Sequence, residues 1–338
     1  VVCINQADVF HRKRAIKNMD NIYRRAKKII AVPDLCYNSK KARTGHFSNS
    51  DINHTLFQLT DTARRWRDSR PLEEVFPSKL LKLARFLRDI FKEWAERCWV
   101  ISERTIGVKQ DKLDVIILRE NGAEMEVEQL CYYLKIDWCI NFDQDSVISA
   151  ILYSESTKYV DRLYAILPHT KYKDTLLKFV DDGQAIDNMT DLKMTLCDIL
   201  DIEGRMLLLD HCLGFSREFQ HVELSFPEDG KFQLPVSDGT DVKYLATVER
   251  TLHKGKHALK VSGPYTVRSP SEIEVQSYML YEKVVESVVD IVLFRDQFIP
   301  PYHILRCARS NDVWMVDDFV QGEDVSHQTF KHGVFVFF

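Results

Sequence analysis

The sequence predicts an α/β fold that runs through a helical segment into a β-rich C-terminal region. Three observations predict it. Residues 1–6 (VVCINQ) are an apolar run with a polar tip, followed by an amphipathic basic stretch and a second apolar run at 28–32. That is the strand–helix–strand pattern of a parallel sheet. From about residue 51 to 210, apolar residues recur three or four apart, which is helical spacing. From about His221 onward, short β-prone runs alternate with turn sequences.

Each element has a local reason. Asp8 stands where a helix N-cap is needed. Ile16, Met19, Tyr23 and Ala26 then form one apolar stripe, with Arg12, Lys13, Lys17, Arg24 and Lys28 mostly off it as a solvated face. Pro33-Asp34 ends the next strand, and residues 36–50 are a polar surface loop. Residues 51–70 are helical through Ile52, Leu56, Leu59, Ala63 and Trp66, and Pro71 stops them. A second helix, 80–99, carries Leu80, Leu83, Leu87, Ile90, Phe91, Trp94 and Cys98 on one side. Residues 112–119 read as a strand, and 123–134, 153–167 and 187–209 as helices.

In the C-terminal region the runs 221–226, 231–236, 242–252 and 257–267 are separated by Pro-Glu-Asp-Gly, Ser-Asp-Gly-Thr and His-Lys-Gly-Lys turns. Residues 271–289 fit helix or strand equally. Strands resume at 291–294, 313–316 and 334–338. The expected domains are 1–135, 136–215 as a helical accessory segment, and 216–338. No internal repeat or low-complexity segment is visible.

Composition narrows the function. A chain of 338 residues, 45% hydrophobic, buries a large core. A net charge of −4 does not point to nucleic acid as a partner. No apolar stretch reaches the roughly 18–20 residues of a membrane span. The eight cysteines are scattered, with no C-x-x-C pair. They fit reduced thiols in a cytoplasmic protein better than a disulfide framework or a zinc site. The chain opens at Val1 inside an expected strand, so it reads as N-terminally truncated.

Two groups of residues carry candidate chemistry. Asn5, Gln6 and Asp8 form the polar tip of the first expected strand, where open α/β sheets bind ligands. Asn and Gln offer donors and acceptors for an amide, ribose or base edge. Glu103, with Arg97 and Trp99, is the second. A carboxyl beside a tryptophan sits in a half-apolar setting that raises its pKa and suits acid–base work. The structural alternative is an Arg97–Glu103 ion pair beside a core tryptophan. Cys3 has no evident His partner and reads as a core residue. His253 and His257 stand four apart, but Lys254-Gly255-Lys256 between them reads as a turn, so no metal site is expected. Ala258-Leu259-Lys260-Val261 with Glu272 or Glu274 loosely mimics a kinase small lobe, without the glycine-rich loop or the H-R-D and D-F-G motifs.

The blocks Cys3-Ile4-Asn5-Gln6, then Met19, Ile22-Tyr23 and Ala26, and later Arg97-x-Trp99-x-x-x-Glu103, are similar to ordered blocks of the fungal heterokaryon-incompatibility (HET) domain. Ser102 stands where that family usually has Gln. Asp161-Arg162-Leu163-Tyr164-Ala165-Ile166-Leu167 resembles a further block found downstream of the domain. The family's first strand block, with its aromatic-Trp-Gly pattern, lies before the start of this resemblance.

The resemblance implies a TIR-like, flavodoxin-like parallel sheet with flanking helices. It implies a signalling role in fungal non-self recognition and programmed cell death, through self-association or protein partners and with no cofactor. It also implies an enzymatic alternative, NAD cleavage, in which Glu103 stabilises the developing oxocarbenium charge while Trp99 or Asn5 holds the nucleotide. A degenerate kinase-like or carbohydrate-binding C-terminal module is a third reading.

Overall fold

In the computed structural model, the described residues are 8–33, 48–64, 76–118, 124–126, 143–182, 185–214, 219–232, 234, 242–269, 284–295, 302–321, 325 and 328–338. They fall into two compact units, Val1–Asp187 and Asn188–Phe338.

The first unit is mixed α/β. Its order is α1 (Val9–Lys17), α2 (Met19–Arg25), β1 (Ile29–Ala31), α3 (Asn49–Arg64), α4 (Ser78–Glu96), α5 (Cys98–Lys109), β2 (Leu113–Leu118) and β3 (Glu124–Glu126). Then come α6 (Gln144–Tyr153), α7 (Tyr159–Ile166), a 3-10 turn (Leu167–His169) and α8 (Lys173–Asp182). β1 and β2 pair in parallel, Ile29 opposite Leu113, so the helices between them are a crossover. β3 is antiparallel to β2. Residues 124–126 were expected in a helix. They pair instead with β2, Leu118 opposite Glu124, and this pairing overrides the weak local helical pattern.

The apolar stripes of α3 and α4 pack on this sheet. Ile52, Leu56, Leu83, Leu87 and Phe91 join Ala31 and Val115 in one buried cluster. Each such side chain contributes about 1.5–3 kcal/mol.

α5 is different from its neighbours. Nine of its twelve residues are buried. A helix buried on most of its sides belongs in the interior. It packs against α2, α4, α6, α7 and β2. Gly107 lets its last turn approach the sheet, since an added Cβ would lie 2.9 Å from Leu113 Cβ and 3.4 Å from Ile29 Cδ1.

The second unit opens with α9 (Met189–Ile199) and α10 (Ile202–Gly214). Eight antiparallel strands follow: β4 (His221–Phe232), β5 (Lys243–Tyr244), β6 (Thr247–His253), β7 (Lys256–Arg268), β8 (Ser287–Arg295), β9 (Tyr302–Ser310), β10 (Val313–Gln321) and β11 (Phe330–Phe337). Their order is β5-β8-β9-β10-β4-β11-β7-β6. β8 also pairs with β7, Ile291 opposite Tyr265, which closes six strands into a ring. One face of the ring is apolar from strand to strand. Val261, Ile291, Leu305, Phe335 and Phe337 are at most 2% exposed.

β6 lies outside the ring, and its outer edge would be open to association with another strand. α9 and α10 cover it. Arg205 Nη1 donates to Val248 O at 3.4 Å, and Arg250 pairs with Asp198 at 2.9 Å. On the ring, Asp290 is fully buried. It accepts two bonds from Arg306 directly opposite, at 2.8 and 3.0 Å, and one from Arg268 at 3.1 Å. β9, which carries Arg306, was not expected from sequence.

Candidate functional site

The site is built on α5. Arg97 breaks the run of helix between α4 and α5. It has extended backbone and caps α5. Trp99 and Glu103 follow four apart, one turn above the other on a single face. Both are half-buried, while Val100, Ile101, Ser102, Arg104 and Thr105 are buried. Arg97 is exposed. A partly open face therefore runs along a mostly buried helix and carries an indole and a carboxyl, with the Arg97 cation exposed at its N-cap.

Glu103 points at α2. Tyr23 Oη donates to Glu103 Oε2 at 3.5 Å. Burial raises the Glu103 carboxyl from its ordinary 4.5 to about 7, against the opposing pull of the Arg97 charge and the Tyr23 hydrogen bond. Burial and the nearby Glu103 charge push the Tyr23 hydroxyl well above its ordinary range. A carboxyl that titrates near neutral pH can give or take a proton under cellular conditions. An indole one turn away offers a stacking face.

Sequence reasoning singled out Arg97, Trp99 and Glu103: the Arg97 charge reaches Glu103, and Trp99 lies one turn away on the same helix face. Glu103 lies mid-helix facing α2, not at a strand tip. Tyr23 was missed. It read as one more apolar residue in the α2 stripe, although a tyrosine at the edge of such a stripe carries a polar tip that seeks a partner. Asp8 caps α1, accepting from His11 N at 3.0 Å. That bond holds its carboxyl below the ordinary range. Asn5 and Gln6 lie outside the described residues.

The other sequence candidates find structural partners. Ser102, in the family's Gln position, is fully buried and donates through Oγ to Ala165 O on α7. Lys254 and Gly255 have positive φ and turn β6 into β7. His253 stacks on Phe338 with ring centroids 3.9 Å apart, and His257 Nε2 lies 3.2 Å from Asp191. Lys260 pairs with Glu249 on β6 at 3.3 Å, and Glu272 and Glu274 lie outside the described residues. Among the described residues no group of three His, Cys, Asp or Glu is arranged for a metal. No described helix is long and apolar enough to cross a membrane. Cys98, Cys197, Cys212 and Cys307 are buried thiols that form no disulfide. Burial pushes the Cys98 and Cys197 thiols up to about 11, which makes them poor nucleophiles.

Residues 1–103 match the family model described as Heterokaryon incompatibility protein (HET). The matched stretch ends on Glu103 itself. The matched residues, which lie in the first unit, are similar to a heterokaryon incompatibility domain and cover under a third of the chain. No curated protein and no solved structure matches the chain.

Proposed function

We propose that this chain is a signalling protein of fungal non-self recognition. In this reading its first unit detects a partner or ligand at the Trp99–Glu103 stripe and drives self-association that leads to cell death. The observation that carries the reading is the half-open Trp99–Glu103 face, with the exposed Arg97 at its N-cap, on a helix nine of whose twelve residues are buried. Burial raises the Glu103 carboxyl toward neutral pH, which suits it to meeting a ligand or exchanging a proton. The family match supplies the incompatibility setting. The parallel β1–β2 pair with its helical crossover is compatible with a TIR-like sheet. Light scattering on the full-length protein tests the reading. Assembly that is lost in Trp99→Ala and Glu103→Gln, with unfolding midpoints retained, supports it. Assembly unchanged in both variants overturns it.

The raised Glu103 pKa favours a second reading, NAD cleavage, in which Glu103 steadies the oxocarbenium-like transition state beside a base stacked on Trp99. Incubation of clustered full-length protein with NAD, with nicotinamide release as the readout, separates the two. Turnover abolished by Glu103→Gln supports the enzyme. No turnover leaves the binding module.

A further inference from the structure

We infer that the loop joining α6 to α7 is a positioning element for the Glu103 site, working through the backbone of Glu155 and the hydroxyl of Ser156. The inference rests on the reading that the Arg97–Glu103 face is the working site.

The loop lies about fifty residues beyond the end of the family match. Even so, it meets the site's first residues directly. Glu155 N donates to Glu96 O at 2.7 Å, and Cys98 N donates to Glu155 O at 3.0 Å. Together they form an isolated parallel bridge between Glu155 and Arg97. This is the point where α4 stops and α5 starts, and both backbone groups there would otherwise be helix-end orphans. The Ser156 hydroxyl also offsets part of the rise that burial imposes on the Cys98 thiol. Its Oγ donates to Lys158 O at 2.8 Å and accepts from Lys158 N at 3.3 Å, which fixes the loop's own shape.

The loop is anchored behind this contact. Arg162 Nη1 donates to Leu152 O at 2.7 Å, holding the end of α6 to α7. Ser102 Oγ to Ala165 O fastens α5 to α7 one residue before Glu103. The angle at which α5 leaves Arg97 is thus set from outside the matched stretch. A helix pivoting at Arg97 would move Trp99 and Glu103 relative to Tyr23. The Glu155 contribution is made by backbone atoms, so its side chain is dispensable and its N–H is not.

That asymmetry defines the test on the full-length protein. Glu155→Pro removes the N–H donor, and Glu155→Gln keeps it. The readouts are the carboxyl carbon-13 titration of Glu103 and the indole resonance of Trp99, assigned with Glu103→Gln and Trp99→Phe. Glu155→Pro is expected to let water reach the carboxyl, lower its titration midpoint toward the ordinary carboxylate range and shift the indole signal. Glu155→Gln is expected to leave both in place. Equal shifts in the two variants, or no shift in a folded Glu155→Pro protein, overturn the inference. If Glu155→Pro unfolds the first unit, Ser156→Ala decides: a smaller shift in the same direction supports the loop's role, and no shift overturns it. Failure of the underlying site reading is seen separately, as assembly unaffected by Glu103→Gln while these titrations still respond to the loop.

Discussion

Replacing Glu103 by Gln separates a poised acid from a structural ion pair. The folded-state pKa of Glu103 is raised, from 4.5 to about 7. The folded protein therefore holds this proton more tightly than the unfolded chain. The stability that Glu103 contributes is complete below pH 4.5 and is lost as the pH climbs toward 7. At about 1.4 kcal/mol per pKa unit, the full shift corresponds to about 3 kcal/mol. Glu103 is half-buried, so solvent screening reduces this to about 1–2 kcal/mol. Glutamine keeps the shape and cannot ionise. At pH 5 the two proteins should unfold at nearly the same urea concentration. At pH 8.5 the Gln variant should be more stable by about 1–2 kcal/mol.

Tryptophan fluorescence in a Trp314→Phe background reads the first unit alone, because the other four tryptophans precede residue 188. Comparing variant with parent cancels the opposite trend expected from His169. Burial lowers that imidazole to about 4, so its share of stability falls as pH drops from 6.5 toward 4. A Gln variant that is less stable than the parent at pH 8.5 would mean that the Arg97–Glu103 attraction dominates, and the poised-acid argument would fail.

Three further outcomes follow from packing and charge. Gly107→Ala should destabilise the first unit by about 1–3 kcal/mol in urea unfolding, because its Cβ meets Leu113 at 2.9 Å and that overpacking exceeds the gain in helix propensity. Asp290→Ala should cost the second unit about 3–5 kcal/mol, since it strands the buried Arg306 guanidinium, and calorimetry should show the loss. Arg205→Ala should raise the aggregation rate in light scattering by loosening the α10 cover over the β6 edge, with a smaller effect from the exposed Asp198→Ala.

Much of this architecture was legible in the chain. The apolar stripes of α3 and α4, the Asp8 cap and the strands β4, β7, β8, β10 and β11 follow from period and turn chemistry. β9 did not read as a strand because Arg306 interrupts its apolar run, and only the opposing Asp290 makes a buried arginine tolerable there. Ring closure was hidden for a related reason: the β7–β8 pairing joins distant segments and leaves no local mark. At the site, the Arg97, Trp99, Glu103 spacing was visible, and i to i+4 placement brought two of the three onto one helix face. The Tyr23–Glu103 contact spans 80 residues, and the Glu155 bridge uses only backbone atoms, so neither had a signature to find.

The most direct test of the Glu103 site is its output in living cells. Full-length protein, Glu103→Gln and the exposed surface control Glu249→Gln would be expressed at matched levels in a fungal host, with growth arrest scored. The account predicts arrest by the parent and the control and its loss in Glu103→Gln. Arrest by a stably expressed Glu103→Gln protein would contradict it.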